Sequence, residues 1–515
     1  MRRAAPVEGG AAAKMFLGLD VLLALAFGLV HSLPVAYTHA WPLQLAAVAA
    51  LAWQVSRASA RRAALLGWLF ATAWFCAGTW WLYISMHRYG GLPAWMAAAA
   101  VLALSGFLAL YWGAAMALFA RVRRHVAFVD AVIFAGCWLL AELARGVLLT
   151  GFPWAASGYA HVDGPLAQLA PWVGVYGIGA VAALLGAIAV LGFRGGIGPG
   201  GLGAIVTLAT VGGLLFTHPV GFTRSNGSLN LTLLQSNVAQ DEKFAEDKLP
   251  QALAWAAATL QSARGDLVLA PETLVPLLPD QLPEGYWAAL AAGFQRGDRA
   301  ALVGVPLGSF EAGYTNSAVG LSRETAKWPG GFYRYDKHHL VPFGEFIPTG
   351  FHWFTEMMNI PLGDFNRGPV GAPSFEVKGQ RIAPNICYED LFGEELAARF
   401  REPERAPTVF ANISNIGWFG DTIALTQHLN ISRMRTLEFQ RPMLRATNTG
   451  MTVVIDHTGR VTHQLPPLKT AVLEARVEGR EGLTPYAHWA AEYRLWPLLA
   501  VALLSLLIAV PLRRS

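Results

Sequence analysis

Eight long apolar runs constrain this chain more than any other feature, at residues 15–33, 38–55, 64–84, 93–119, 127–148, 171–193, 202–218 and 495–512. A helix needs about 20 mostly apolar residues to cross a hydrocarbon layer. The second and seventh runs are short and rich in Gly and Ala, so they carry the least signal. The basic residues check the count independently, because short cytoplasmic loops collect Lys and Arg. With the N-terminus inside, the cytoplasmic segments hold Arg2, Arg3 and Lys14; Arg57, Arg61 and Arg62; Arg121, Arg123 and Arg124; Arg194; and Arg513 with Arg514. The short external loops hold only Arg88 and Arg145. Eight spans with both ends inside satisfy the rule at every loop, and one span more or fewer would break the alternation. The first run follows a basic start, as a signal peptide would, but further spans follow directly, so an uncleaved anchor is expected.

This topology divides the chain into a membrane region over 1–218, a water-facing segment over 219–494 outside the cytoplasm, and a closing helix with a short tail over 495–515. The charges follow the same division. Only 14% of the residues are charged, against roughly 25% in an average soluble protein, and most of them lie between 221 and 494. A long domain is translocated largely regardless of its own charge, so these residues do not oppose an outside location. The net charge of +5 raises nucleic acid as a partner, but the water-facing segment has no basic stripe with interleaved aromatics, and none is expected. Of the three cysteines, Cys76 and Cys137 sit inside apolar runs as small hydrophobes. Cys387 is alone in the water-facing segment, which excludes a disulfide framework.

Two polar features interrupt the membrane region: Asp20 in the first run, and Glu142 with Arg145 in the fifth. Ionisable groups at such depth are costly and face protein or water. Three residues apart on a helix, Glu142 and Arg145 share a face and can pair. Two roles are open: an ion pair that orders the following loop Thr150-Gly151-Phe152-Pro153-Trp154, or direct contact with a substrate.

In the water-facing segment, β-rich runs recur at Leu229–Gln235, Asp266–Ala270, Ala301–Val305, Arg381–Ile386, Thr408–Ile413 and Thr452–Ile455, with helical patterns at 249–263, 284–296 and 426–438. This alternation predicts an α/β domain. Glu272 follows the apolar run Leu267-Val268-Leu269-Ala270, Cys387 follows Ile382–Ile386, and Lys337 sits in Tyr335-Asp336-Lys337-His338-His339-Leu340. Strand ends are where α/β folds assemble sites. A thiol attacks only as thiolate. A carboxylate can take its proton, and an ammonium with a backbone N–H after the nucleophile can hold an oxyanion. The histidines lack metal-ligand spacing. The glycine run 195–201 links two spans and is no phosphate cradle. No metal or cofactor is expected.

Ala270-Pro271-Glu272, the loop from Tyr335 through Lys337 to Glu345, and Asn385-Ile386-Cys387-Tyr388-Glu389 resemble the nitrilase superfamily, in which Glu, Lys and Cys form a triad on an αββα sandwich. With seven spans before that domain, one after it, the loop 150–154 and Ser414-Asn415-Ile416-Gly417-Trp418-Phe419, the chain from about 16 to 512 resembles the apolipoprotein N-acyltransferase family. The resemblance implies an eight-span bacterial inner-membrane protein, its catalytic domain on the periplasmic side, that performs the last step of lipoprotein maturation. A membrane phospholipid would acylate Cys387, and the N-terminal amine of a diacylated apolipoprotein would accept the acyl group from the thioester. Glu272 would be the base, and Lys337 with the Tyr388 N–H the oxyanion donors. Glu345 and Glu389 would orient them, while Tyr388 and Trp418 would line the acyl and headgroup region. The family typically carries Trp where Phe244 stands, and Phe keeps the aromatic face without the indole N–H. A monomer is expected. A membrane-tethered amidase acting on a soluble substrate, and a non-catalytic lipid-binding scaffold, remain as rival readings.

Overall fold

The computed structural model describes residues 9–191, 199–216, 220–309, 311–355 and 364–508. Its first part is helical: α1 (Gly9–Ala36), α2 (Trp41–Val55), α3 (Ala60–Thr79), α4 (Ala94–Val122), α5 (Ala127–Val147), α6 (Ala170–Leu191) and α7 (Pro199–Phe216). Helices surrounded by lipid gain little from the hydrophobic effect and are held by close packing at small residues. Gly28 of α1 lies against the Phe70 carbonyl of α3, and Gly67 of α3 against Met116 and the Trp112 carbonyl of α4. Neither position leaves room for a Cβ. The buried rings of Trp74, Trp112 and Trp138 join α3, α4 and α5, with centroids 4.9 Å apart for the first pair and 5.5 Å for the second pair, Trp112 and Trp138.

The eight expected spans are not reached among the described residues. Four helices are long and apolar enough to cross a membrane: Gly18–Ala36, Ala94–Val122, Ala127–Thr150 and Pro165–Leu191. The number rises to six if two bent pairs each count as one: Ala60–Thr79 with Leu82–Tyr89, turned by 62°, and Pro485–Tyr493 with Trp496–Leu507, turned by 91°. The expected second span is the 15-residue α2, about 22 Å long against a core of about 30 Å. The seventh run supplies the shorter apolar helix Gly201–Thr210. Residues 192–193, 217–218 and 509–512 of the expected spans lie outside the described residues.

The second part holds two six-stranded sheets. In chain order its elements are β1 (Thr223–Gln235), α8 (Leu249–Ser262), β2 (Leu267–Leu269), α9 (Tyr286–Gln295), β3 (Ala300–Ser309), β4 (Gly313–Leu321), β5 (Tyr333–Asp336), β6 (Phe375–Val377), β7 (Gln380–Ile386), β8 (Val409–Ser414), α10 (Ile423–Phe439), β9 (Met443–Thr447), β10 (Val453–Ile455), β11 (Val461–Gln464), β12 (Ala471–Gly482), α11 (Pro485–Tyr493) and α12 (Trp496–Leu507). The sheet orders are β12-β1-β2-β3-β4-β5 and β11-β10-β9-β8-β7-β6. β1, β2 and β3 run parallel, as do β7, β8 and β9, and the flanking pairs are antiparallel.

Alternation along each strand builds the sandwich. Leu267 and Leu269 face the other sheet, where they share one core with Ile382, Ile386, Val409, Ala411 and Ile413. Val268 points the opposite way, under Leu253, Leu260 and Phe294 of α8 and α9. Phe410 likewise packs beneath Phe439 of α10 and Tyr486 of α11. Burial on both faces is why these central strands read as continuous apolar runs.

α10 fastens the two parts together. Thr422 caps it by accepting from the Ala424 N–H at 3.3 Å. Gln427 Oε1 then accepts from the indole N–H groups of Trp81 (3.0 Å) and Trp154 (2.9 Å), while its Nε2 donates to the Gly78 carbonyl at 3.0 Å. One helical turn further, Asn430 donates to the Val35 carbonyl at 3.1 Å. Near the end of the helix, Glu438 accepts from the Val175 N–H at 2.7 Å. The buried Arg145 pairs with Glu142 at 2.8 Å, and its other nitrogen donates to the carbonyls of Phe152 and Trp154. Glu142 in turn accepts from the Ser157 N–H at 2.9 Å. This pair therefore orders the 150–154 loop, which carries Trp154 to Gln427.

Candidate active site

Glu272 leaves β2 through a tight turn. Thr273 has φ +51°, and the turn fits because Gly304 on β3 has no Cβ to strike the Pro271 carbonyl. The carboxylate is buried and fully engaged. Oε1 accepts from Asn316 Nδ2 at 2.7 Å and lies 3.6 Å from Lys337 Nζ; Oε2 accepts from the Asn415 N–H at 2.7 Å.

Lys337 comes off the end of β5, fixed by its own N–H donating to the Asn316 carbonyl at 2.8 Å. Its ammonium lies 2.9 Å from Glu345 Oε1. Burial alone would lower its pKa, but Glu345 and Glu272 more than offset this and hold it above the ordinary lysine value. The charged form of Lys337 is therefore favoured. Glu345 is oriented by the Val341 N–H at 2.9 Å and by Asn316 Nδ2 at 2.8 Å, so one amide nitrogen bridges both carboxylates.

Cys387 terminates β7 in the left-handed region, with φ +52°. That is a strained conformation for a residue with a Cβ, costing on the order of 1–3 kcal/mol. Glu389 holds the turn by accepting from the Ile386 N–H at 2.6 Å and the Tyr335 hydroxyl at 2.7 Å. Its other oxygen accepts from the His338 N–H at 2.7 Å, beside Lys337. One buried carboxylate thus ties the Cys387 turn to the Lys337 loop. The Cys387 carbonyl accepts from Asn412 Nδ2 at 3.3 Å and lies 3.2 Å from His428 Nε2. Burial, and then the Glu272 charge, push the thiol's pKa up, while Lys337 and the Asn415 N–H pull it back. The net direction is upward, which favours the neutral thiol at rest in the field of Glu272, Lys337 and Glu345.

The structure thus brings Glu272, Lys337 and Glu345 into direct contact, with Cys387 beside them and Glu389 beneath. The contacts of the remaining expected residues lie elsewhere. Tyr388 is buried against Phe392, and its hydroxyl donates to the Gly151 carbonyl of the membrane-side loop at 3.2 Å. Trp418 is half-buried, its ring edge-on to Tyr89 at 5.6 Å. Phe244 is 51% exposed. Three contributors were not singled out from the sequence: Asn316, Asn415 and Lys243, whose buried ammonium donates to the Glu272 carbonyl at 3.1 Å. Asn415 lies within the stretch Ser414–Phe419 and Lys243 is next to Phe244, while Asn316 sits mid-strand on β4 and carried no local signal. Among the described residues, no three His, Cys, Asp or Glu side chains gather as a metal site.

Two family models match the chain. The apolipoprotein N-acyltransferase N-terminal domain matches residues 27–188, and carbon-nitrogen hydrolase matches residues 235–486. A protein of Verminephrobacter eiseniae named apolipoprotein N-acyltransferase is 53% identical over 503 residues, covering 92% of this chain and 93% of its own. The chain belongs to the apolipoprotein N-acyltransferase family. Other members with that name, from Ralstonia nicotianae and Chromobacterium violaceum, are 46% and 36% identical, covering 96% and 92% of this chain and 93% and 90% of their own. The N-acyltransferase N-terminal domain runs from the end of α1 to near the end of α6, and the hydrolase match takes in β2 through β12 and every residue of the cluster just described.

Proposed function

We propose that this chain moves an acyl group from a membrane phospholipid to the N-terminal amine of a diacylglyceryl-cysteine on an apolipoprotein, through a thioester on Cys387. The observation that carries this reading is the buried contact of Glu272, Lys337 and Glu345 around a thiol held on a strained turn. In the first step Glu272 accepts the thiol proton as sulfur bonds to the ester carbonyl carbon. Lys337 and the Tyr388 N–H stabilise the oxyanion, a donor pair of which each member contributes about 10²–10³ in rate. The C–O bond then breaks, and the lysophospholipid leaves with the proton from Glu272. In the second step the neutral amine attacks the thioester carbon, Glu272 takes the amine proton, the C–S bond breaks as the amide forms, and Glu272 returns the proton to sulfur. Glu345 fixes Lys337 and Glu389 fixes the nucleophile turn, while Tyr388, Trp418 and Phe244 border the lipid.

A thioester retains enough acyl energy to form an amide, and it survives only where water is excluded. A site docked on apolar helices meets that need. The same reading makes residues 219–494 the catalytic domain on the periplasmic side of a bacterial inner membrane, between the helices of 1–218 and the closing span of 495–515. It takes the full eight spans as the topology and the monomer as the active form. The test is transfer of labelled acyl from phospholipid vesicles to a synthetic diacylated lipopeptide, with N-acylation expected for the native chain and none for Cys387→Ala. Equal transfer by both proteins would sink the reading. Hydrolysis of small soluble amides without lipid would favour the tethered amidase instead.

A further inference from the structure

We propose that Lys243 is a positioning residue for the acylation step, holding the Glu272 backbone through its ammonium and placing a second positive charge near the Cys387 sulfur. This rests on the reading of Cys387 as the acylated nucleophile.

Lys243 is 6% exposed, an unusual place for an ammonium. Its Nζ donates to the Glu272 carbonyl at 3.1 Å, on the turn that aims the carboxylate. The segment is anchored at a second point, where Gln240 Oε1 accepts from Asn415 Nδ2 at 2.8 Å. Asn415 is also the residue whose N–H binds Glu272 Oε2. Residues 240–243 therefore brace the base from two sides, and a side chain serving only to pack would not need a charge there. Lys337 is held most closely by Glu345, so negative charge that develops on sulfur as Glu272 takes the proton gains from another cation.

The titratable groups acting on the Lys243 ammonium are Glu272, whose carbonyl it binds, and Cys387. Lys337 and Glu345 act across Glu272, and Asp241 and Glu242 on its own segment are exposed. Burial lowers the Lys243 pKa to about 8, with Glu272 and Cys387 opposing the shift. Its charge is therefore present below about pH 8 and lost above it, whereas an arginine stays charged to about pH 12.

The test uses the full-length protein with phospholipid alone, so that no substrate amine titrates. The rate of acyl-adduct formation is followed by intact-protein mass spectrometry from about pH 6 to about pH 10 for the native chain, Lys243→Arg and Lys243→Met. The native chain is expected to exceed Lys243→Met by about tenfold below pH 8, the advantage fading above it. Lys243→Arg should keep its advantage over Lys243→Met across the range. A native-to-Met ratio independent of pH, or an Arg variant that behaves like Met, would overturn the proposal. If no adduct forms while a diacylated lipopeptide is still N-acylated, the covalent reading fails. The same three proteins are then compared by the pH dependence of lipopeptide acylation, where an unmoved ratio counts against Lys243 by itself.

Discussion

Lys337 Nζ stands 2.9 Å from Glu345 Oε1, closer than its 3.6 Å from Glu272 Oε1. The ammonium is thus neutralised chiefly by Glu345, which leaves Glu272 able to accept a proton without first breaking a tight ion pair. Replacing Glu345 by Gln should remove that division of labour. Lys337 would move onto Glu272 and weaken it as a base. Acyl-adduct formation should fall by about 10²–10³, a usual range for a misplaced acid–base group. Thermal unfolding should change little by comparison. A Glu345→Gln protein with native acylation rates would show that Lys337 needs no such partner.

Asn316 is the neutral bridge in this array, donating to Glu272 at 2.7 Å and Glu345 at 2.8 Å. Changing it to Asp would place a third carboxylate against one lysine, whereas Ala would only remove the bridge. Asn316→Asp should therefore lose more acylation activity than Asn316→Ala, by at least about tenfold, because an added buried charge costs more than a lost neutral hydrogen bond. The reverse order, measured with labelled phospholipid, would contradict the assigned charge balance.

Gln427 satisfies two indole N–H groups and one carbonyl across the junction of the helical part and the sandwich. Gln427→Leu keeps the volume and leaves the Trp154 indole N–H without its acceptor, whereas Trp81 still donates to the Gly78 carbonyl at 3.0 Å, so the cost is about 1–3 kcal/mol for the one group left buried and unpaired. The variant should unfold several degrees earlier. It should also lose acylation, since His428 beside it touches the Cys387 carbonyl. An unchanged melting temperature would mean that the Gln427 hydrogen bonds add nothing to the stability of the junction.

Glu394 is buried, and desolvation, reinforced by Glu395, raises its pKa from 4.5 to about 8. The folded state therefore binds this proton more tightly than the unfolded state does. The stability it contributes is complete below about pH 4.5 and declines as pH rises to about 8. The melting temperature of the native chain should accordingly drop, relative to that of Glu394→Gln, between about pH 4.5 and about pH 8, the span over which the unfolded group has lost its proton and the folded group still holds it. Parallel melting curves across that range would rule this out.

Part of the sandwich was legible because central strands are buried on both faces, so Leu267–Leu269 stands out as an apolar run. β12 escaped notice for the opposite reason. It is an edge strand whose sequence alternates charged and apolar residues, and it pairs with β1 from more than 200 positions away. Glu272, Lys337 and Cys387 were readable because each follows a strand end, whereas Asn316 acts from mid-strand and its role exists only once β4 and β5 are paired. Basic-residue placement favoured eight spans, but loop charge is silent on helix length, and α2 is short while two further helices bend sharply.

The acyl-enzyme itself is the most direct measurement. The full-length protein mixed with phospholipid should gain the mass of one fatty acyl group, located on Cys387 by peptide mapping, and should lose it when a diacylated lipopeptide is added. A lipopeptide that gains its third chain while Cys387 never carries an adduct would contradict the account.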